Sequence, residues 1–248
     1  MQAVLFDLGG VLIDWNPRYL FRRRFGSDEA AMENFLARIV PQSWNHEIDA
    51  GKPMAQAVAE RSRLHPEYAE LIALWQDEWE HMLGGAIAGS LEILAQLRQR
   101  EVRLLALTNW SAETFPVAQR RFGFLQWFED IVVSGQVGLA KPDPRIFSLA
   151  IERCRIDPAQ TVFIDDSPGS ARTAFSQCRH LARGLAPGRL SVNSSSEKET
   201  VMIREFLFTC LAGHLLFLAP ATGTAEGIKV VYHLADEQSA TLAMHNMT

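Results

Sequence analysis

Four short segments of the chain are almost continuously apolar, and each of them ends in polar residues. In chain order they read AVLFDL (3–8), RLLALTN (103–109), DIVVSG (130–135) and TVFIDD (161–166). An unbroken apolar run of this length is typical of a parallel strand that is covered on both faces. We therefore predict four buried parallel strands.

Amphipathic segments with helix-start signals separate the later runs. We predict helices over residues 90–100, 111–122, 143–154 and 167–178, and a proline close to the start of the last two supports them. Strands and helices that alternate in this way indicate an α/β fold, a doubly wound Rossmann-like parallel sheet.

The stretch between the first two strands departs from this alternation. It carries amphipathic patterns such as DEAAMENFLARIV (28–40) and PEYAELIALWQDEWEHML (66–83), with a turn at EIDAGKP (47–53). We predict an α/β core formed by residues 1–15 and 86–180, with a helical insertion over residues 16–85.

The remaining residues, 181–248, are predicted to form a divergent C-terminal segment. Residues 179–200 are rich in arginine, serine, glycine and proline, which is typical of a loop or linker. A fifth strand fits either FLFTCLA (206–212) or KVVYHLA (229–235), and the sequence does not decide between them.

Composition narrows the class of partner. The chain has 248 residues, of which 48% are apolar, so it can bury a sizeable core. A net charge of -5 argues against nucleic-acid or membrane partners and leaves a small molecule as the expected partner. The three cysteines are widely spaced, which favours a reducing, cytoplasmic location, and the early first strand leaves no room for a signal peptide.

Polar residues at the ends of the predicted strands collect the candidate chemistry. In open parallel sheets, ligands bind beyond the carboxyl ends of the strands. Those ends carry Asp7, Thr108 with Asn109, the loop GLAKPDP (138–144) with Lys141, and the pair Asp165 and Asp166. Three carboxylates, a hydroxyl and an ammonium group suit a hard divalent cation such as magnesium (Mg²⁺) together with an anion.

Each of these residues also has an ordinary interpretation when it is taken alone. Asp7 could form a turn, and one member of the Asp165 and Asp166 pair could cap a helix, although that leaves the other unexplained. Lys141 could be a solvent-exposed lysine, yet Lys52 is its only counterpart in the first 190 residues.

Taken together and in this order, the four segments resemble the haloacid dehalogenase superfamily, most of whose members are phosphatases. The resemblance covers about residues 1–178. It implies that Asp7 is a nucleophile that forms an aspartyl-phosphate intermediate. It also implies that Thr108 donates a hydrogen bond to the transferring phosphoryl group, and that Lys141 neutralises both the nucleophile and the phosphate.

The same resemblance implies a metal site and a substrate site. The Mg²⁺ ligands would be the side chains of Asp7, Asp165 and Asp166 and the backbone carbonyl of Gly9. We expect Thr108, Asn109, Trp110 and Lys141 to contact substrate, with Trp110 as a pocket wall rather than core packing. The helical insertion corresponds to the cap that closes over the site and selects the substrate.

Gly9 departs from the common pattern of the superfamily. Many of its phosphatases carry a second aspartate at this position, which acts as general acid and base, and its loss can cost about 10²- to 10⁴-fold in rate. Some sugar-phosphate phosphatases of the superfamily also carry glycine there. One hypothesis is that the leaving group is good enough to need little protonation, as in an anomeric sugar phosphate or an acyl phosphate.

These residues predict a Mg²⁺-dependent phosphatase that acts on a small, sugar-phosphate-like metabolite. A 2-haloacid dehalogenase is an alternative, because that branch also uses an aspartate nucleophile and a helical cap. It typically lacks the acidic pair, however, and has an aromatic residue at the position of Gly9. A catalytically weak binding or regulatory protein is a further alternative, which Gly9 and the divergent C-terminal segment motivate.

Overall fold

The computed structural model of the chain describes residues 2–167, 169–170, 173–174, 216–218 and 229–233. Its strands are β1 (Ala3–Phe6), β2 (Ile13–Trp15), β3 (Leu83–Ala86), β4 (Arg103–Thr108), β5 (Asp130–Val133), β6 (Thr161–Asp165), β7 (Leu216–Leu218) and β8 (Lys229–His233). Six of them form one sheet in the order β5-β4-β1-β6-β8-β7, and β2 pairs with β3 in a separate ribbon.

The predicted parallel sheet is confirmed. The four apolar runs form β1, β4, β5 and β6, and β1 lies in parallel between β4 and β6, so that Leu5 pairs with both Leu105 and Phe163. All four residues of β1 and all five of β6 are buried. Burial on both faces explains why these strands are continuously apolar rather than alternating.

Helices connect the strands of the sheet. They are α6 (Ala88–Gln99), α7 (Phe115–Arg121), α8 (Ser134–Val137) and α9 (Pro144–Arg153). The helix predicted over 111–122 begins later, because Ser111 to Thr114 form a turn in which the Ser111 hydroxyl accepts a hydrogen bond from the Glu113 amide. Of the helix predicted over 167–178, the structure describes residues 167, 169–170 and 173–174, and all of these but residue 167 are helical.

The helical insertion lies between β2 and β3 in the chain. It contains α1 (Arg18–Phe25), α2 (Glu29–Asn34), α3 (Gln42–Asp49), α4 (Met54–Leu64) and α5 (Ala69–Asp77), and a π-helical segment, Phe35–Ile39, continues α2. The antiparallel ribbon of β2 and β3, in which Ile13 pairs with Ala86, was not predicted. The division of the chain into separate core and insertion domains stays a prediction.

One of the two candidate segments supplies a fifth parallel strand. β8 lies within KVVYHLA and pairs in parallel with β6, so that Asp165 is aligned with Tyr232. β7 then pairs with β8 in antiparallel fashion. The other candidate, FLFTCLA, and the predicted linker over 179–200 lie outside the described residues.

Two apolar clusters cover the two faces of the sheet. Successive side chains of β1 point to opposite faces, so Phe6 belongs to one cluster and Leu5 to the other. The cluster that contains Phe6 continues into the helical insertion, where Phe35 and Trp75 are fully buried. In the part of the chain that the structure describes, no helix is both long enough and apolar enough to cross a bilayer.

Candidate active site

Three of the predicted site residues lie where parallel strands reach the same edge of the sheet. Thr108 ends β4, Asp165 ends β6, and Asp7 follows β1, with its backbone amide donating to the Ile164 carbonyl at 2.8 Å. One carboxylate oxygen from each of Asp7, Asp165 and Asp166 can be chosen so that all three lie within 4.8 Å of one another. The sheet therefore brings the three predicted carboxylates together.

The Lys141 ammonium group lies between two of these carboxylates. Its Nζ is 2.9 Å from Asp7 Oδ2 and 2.6 Å from Asp165 Oδ2. Lys141 is 3% exposed and Asp165 is 0% exposed, so these charges have little access to solvent. Buried charges of this kind require partners, and the interpretation of Lys141 as an exposed surface lysine is therefore wrong.

Asn109 holds the loop that carries Lys141. Its side-chain amide nitrogen donates to the Lys141 carbonyl at 2.8 Å, and its amide oxygen accepts from the Lys141 backbone N–H at 2.8 Å. Both ends of the amide are thereby used. This geometry makes Asn109 a residue that positions Lys141, whereas its predicted contact with substrate stays a prediction.

Backbone groups orient the remaining carboxylate oxygens. The Leu8 amide donates to Asp7 Oδ1 and the Ser167 amide donates to Asp165 Oδ1, each at 2.7 Å. Gly10 has a φ of +72°, and a Cβ there would lie 2.1 Å from Asp166 Oδ2. Only glycine at this position lets the Asp166 carboxylate approach the loop after β1 so closely.

The electrostatics of the group favour a bound cation. Burial raises the pKa of Asp7 to about 7, and the neighbouring Asp165 and Asp166 raise it as well, while the Lys141 charge opposes them. Burial alone would lower the pKa of Lys141, but the charges of Asp7 and Asp165 outweigh it and raise that pKa. With all three carboxylates ionised, one ammonium leaves two negative charges in excess, and a divalent cation held by oxygen ligands fits that excess.

The Thr108 hydroxyl is buried and unpaired among the described residues. Thr108 is 0% exposed, and its Oγ1 has no hydrogen-bond partner among the described residues. Buried polar atoms are nearly always paired in native proteins, so this unpaired hydroxyl is consistent with the predicted contact of Thr108 with substrate, which stays a prediction.

Trp110, the next predicted contact, belongs to the apolar core. Its ring lies 5.7 Å from that of Trp79 and 6.0 Å from that of Phe115, centroid to centroid. Its indole N–H has no hydrogen-bond partner in the described part of the chain. The structure thus shows a packing role, and the pocket wall stays a prediction, as does the metal contact of the Gly9 carbonyl.

Comparison with known proteins places the chain in a family. The sequence profile of the haloacid dehalogenase-like hydrolases matches residues 1–174, which is most of the chain. The chain belongs to this family.

Named relatives of this hydrolase include phosphatases. It is 27% identical over 189 residues to a phosphorylated carbohydrates phosphatase of Thermotoga maritima, covering 71% of this chain and 81% of the relative. It is 24% identical over 182 residues to validoxylamine A 7'-phosphate phosphatase of Streptomyces hygroscopicus subsp. limoneus, covering 70% and 80%. A solved structure of a haloacid dehalogenase family enzyme from Bacteroides thetaiotaomicron, in complex with magnesium and inorganic phosphate, shares its fold with a TM-score of 0.53, 24% identity and coverage of 71% and 90%.

One aspartate of the helical insertion, Asp49, interacts electrostatically with Asp7, and sequence reasoning did not single it out. Asp49 is the last residue of α3, within the turn EIDAGKP, and its carbonyl accepts a hydrogen bond from the Ser134 hydroxyl at 2.5 Å. Burial raises the pKa of Asp49 to about 7, the charge of Asp7 raises it as well, and a hydrogen bond from the Ser111 backbone opposes them. One sequence signal was available, namely an aspartate at the C-terminal end of a helical pattern. The helix dipole disfavours an anion there, so the residue is unexpected at that position.

Proposed function

We propose that the chain is a Mg²⁺-dependent phosphatase that hydrolyses a small phosphorylated metabolite through an aspartyl-phosphate intermediate. The observation that carries this proposal is the buried group in which Lys141 bridges Asp7 and Asp165 beside Asp166. It combines an oriented carboxylate nucleophile with a place for a divalent cation. The named phosphatase relatives support the same class of reaction.

Asp7 is held in one orientation for nucleophilic attack. The Leu8 amide holds its Oδ1 and Lys141 holds its Oδ2, so little orientational entropy is lost when a phosphate monoester binds. An oxygen of Asp7 attacks phosphorus, and the bond from phosphorus to the leaving oxygen breaks. Water then attacks the phosphorus of the aspartyl phosphate and regenerates the Asp7 carboxylate.

The other site residues bind charge. Lys141 and the Thr108 hydroxyl stabilise the phosphoryl oxygens, and Asp165 and Asp166 would hold the cation together with Asp7. Magnesium, when bound, neutralises the negative charge of the phosphoryl group and of the nucleophile.

A sugar phosphate is the substrate class that we propose. The names of the two relatives, which act on phosphorylated carbohydrates and on validoxylamine A 7'-phosphate, support this choice. The net charge of -5 supports a small metabolite over a nucleic acid or an anionic membrane. A cytoplasmic location fits the cysteine usage and belongs to the same proposal.

The direct test is release of phosphate from p-nitrophenyl phosphate by the full chain, with Mg²⁺ or with EDTA. We expect activity only with Mg²⁺, and we expect Asp7→Asn to lower it by at least about 10³-fold, because the nucleophile is lost. Asp77→Asn, which changes an exposed aspartate at the end of α5, is the matched control and should keep full activity.

Other outcomes would select the alternatives. Full activity of Asp7→Asn would contradict the proposed nucleophile. Chloride release from 2-chloropropionate without any phosphatase activity would indicate a dehalogenase. A folded chain that binds Mg²⁺ and releases neither product would indicate a binding or regulatory protein.

A further inference from the structure

The proposed reaction needs a proton donor that the metal site does not supply. An unprotonated alkoxide is a poor leaving group. The bond from phosphorus to an alcohol oxygen therefore breaks much faster when that oxygen receives a proton. Asp7, Asp165 and Asp166 are assigned to the nucleophile and the cation, and Lys141 is engaged with two carboxylates. Gly9 has no side chain, so a general acid for a poor leaving group has to come from elsewhere in the chain.

The helical insertion places a carboxyl group at the boundary with the active site. Asn45 donates its side-chain N–H to Asp49 Oδ2 at 2.8 Å, and the Trp75 indole N–H donates to Asn45 Oδ1 at 3.2 Å. From the other side, the backbone of Ser111, three residues after Thr108, lowers the pKa of Asp49 and so lies near its carboxyl group. Asp49 therefore lies between the insertion and the loop that follows β4.

The backbone around Asp49 also contacts the core. The Ser134 hydroxyl, at the start of α8, donates a hydrogen bond to the Asp49 carbonyl. It also accepts a hydrogen bond from the Trp110 backbone amide at 2.8 Å. Gly51 has a φ of +107°, and a Cβ there would approach the Gly135 carbonyl to 3.4 Å. The turn after α3 thus packs on α8, which follows β5 in the sheet.

The environment of Asp49 raises its pKa to about 7, which suits a group that gives and takes a proton near neutral pH. Asp49 is partly buried, it ends a helix, where the dipole disfavours an anion, and Asp7 is the charged group that raises its pKa. The other titratable groups on the elements around it are His46, Glu47 and Lys52 on the insertion and Glu113 on the loop after β4. Lys52 pairs with Glu47 and Glu60, and Glu113 accepts the Met54 amide, so these contacts engage both side chains away from Asp49.

We propose that Asp49, supplied by the helical insertion, is the general acid and base of the reaction and replaces the aspartate that position 9 lacks. This inference rests on the proposed phosphatase function. As Asp7 attacks phosphorus, the electron pair of the breaking bond passes to the leaving oxygen, which takes the proton of Asp49 and departs as an alcohol. The Asp49 carboxylate then takes a proton from the water that attacks the aspartyl phosphate, so phosphate leaves and Asp49 is protonated again.

A leaving-group series separates this role from a structural one. The probes are 2,4-dinitrophenyl phosphate, p-nitrophenyl phosphate and glucose 6-phosphate, whose leaving groups become progressively worse. We expect Asp49→Asn to lower kcat/KM for glucose 6-phosphate by about 10²- to 10⁴-fold and for the dinitrophenyl ester by less than about 3-fold. Glu47→Gln, two residues away and exposed, is the matched control and should leave all three rates unchanged.

A second variant tests for rescue. A Cβ at Gly9 meets no atom within 4 Å, so this position has room for a side chain to begin, whereas a Cβ at Gly10 collides with Asp166. We expect Gly9→Asp in the Asp49→Asn background to restore the rate with glucose 6-phosphate at least about 10-fold. Gly10→Asp in the same background should restore nothing.

The stability of Asp49→Asn also separates the two roles. A purely structural Asp49 predicts that the variant is less stable than the wild-type chain at pH 8, whereas a carboxyl group with a raised pKa predicts the opposite. A carboxyl group whose pKa is raised in the folded state loses its favourable contribution as the pH rises from about 4 to about 7. In EDTA, Asp49→Asn should therefore unfold at a higher urea concentration than the wild-type chain at pH 8, and the difference should shrink toward pH 4.

Two results would overturn the proposal. One is an equal fold-loss of Asp49→Asn on all three esters, and the other is a lower urea midpoint of this variant at pH 8. A wild-type chain that releases no phosphate from any of the esters would instead refute the phosphatase function itself. The hypothesis of a leaving group that needs little protonation predicts a different pattern. Wild-type turnover would fall steeply as the leaving group worsens, and Asp49→Asn would show the same dependence of turnover on the leaving group.

Discussion

A single ammonium group determines the arrangement of the active site. Lys141 contacts both Asp7 and Asp165, and both Lys141 and Asp165 are buried. The Coulomb attraction in such a place has to offset the desolvation of every charge involved, and removing one partner leaves the others uncompensated. Lys141 therefore serves the fold as well as the proposed chemistry.

Replacement of Lys141 by methionine should show both effects. The similar length and apolar stem of methionine preserve packing, so the loss reports on the charge. We expect Lys141→Met to lower the free energy of unfolding by about 3–5 kcal/mol in EDTA and to abolish phosphate release. Urea unfolding of the full chain measures the first effect.

The matched control is Lys52→Met, which removes the other lysine of the first 190 residues from a pair of exposed contacts with Glu47 and Glu60. Its unfolding midpoint should stay close to that of the wild-type chain, because ion pairs at the surface contribute little. Equal midpoints for Lys141→Met and Lys52→Met would contradict the importance of the buried charge.

At the level of residues, the sequence identified the groups that follow strands and missed the one that comes from the insertion. Asp7 and Asp165 could be predicted to meet because parallel strands end at one edge of the sheet. Asp49 comes to lie beside the core only through the packing of α3 against α8, which no local pattern encodes. The amide of Asn109 likewise found its partners in the Lys141 backbone, a contact that depends on the path of a loop.

Among the secondary-structure elements, strands with a continuous apolar run were predictable and strands without one were not. The strands β1, β4, β5 and β6 are covered on both faces, so their sequences carry a strong apolar signal. β2 contains an aspartate among its three residues and β3 contains two glycines among its four, so neither carries a continuous run of apolar side chains. The start of α7 was predicted too early because its first turn is a serine turn rather than a helix.

One helix of the insertion receives its N-terminal cap from the core. α4 begins at Met54, and its N-cap residue, Pro53, offers no side-chain acceptor. Instead, Glu113 in the loop before α7 accepts the Met54 amide at 2.8 Å. A carboxylate at this place satisfies an otherwise unpaired amide and interacts favourably with the helix dipole.

Removal of this cap should weaken the attachment of α4. We expect Glu113→Ala to lower the free energy of unfolding by about 1 kcal/mol, the usual cost of a lost N-cap. Hydrogen exchange at the Met54 amide should become faster, because its acceptor is gone.

Glu92→Ala in α6 removes an exposed glutamate that lies within a helix, and it should leave the exchange at Met54 unchanged. Unchanged protection of that amide in Glu113→Ala would show that Glu113 does not cap α4.

At the scale of the whole molecule, the site depends on a strand that comes from the end of the chain. β8 pairs in parallel with β6, on the side opposite β1, and β6 carries Asp165. The sequence offered two apolar candidates for this strand, and their local patterns are equivalent. The choice between them depends on which segment reaches the free edge of β6, which is a property of the folded chain.

Two truncations that differ by one strand test this dependence. A chain that ends at residue 233 retains β8, whereas a chain that ends at residue 228 lacks it. Without β8, the N–H and C=O groups along one edge of β6 lose their partners, and an open strand edge promotes association between chains. Each lost backbone hydrogen bond costs about 1 kcal/mol, so the shorter chain should lose about 2–5 kcal/mol of unfolding free energy.

The shorter chain should also gain less stability from added Mg²⁺. A less rigid β6 holds Asp165 and Asp166 less well, and weaker binding of Mg²⁺ gives a smaller stabilisation. Urea unfolding with and without Mg²⁺, together with light scattering, measures both effects. If the two truncated chains have equal midpoints and equal shifts with Mg²⁺, then β8 contributes nothing to the sheet, and β6 is stable as its edge strand.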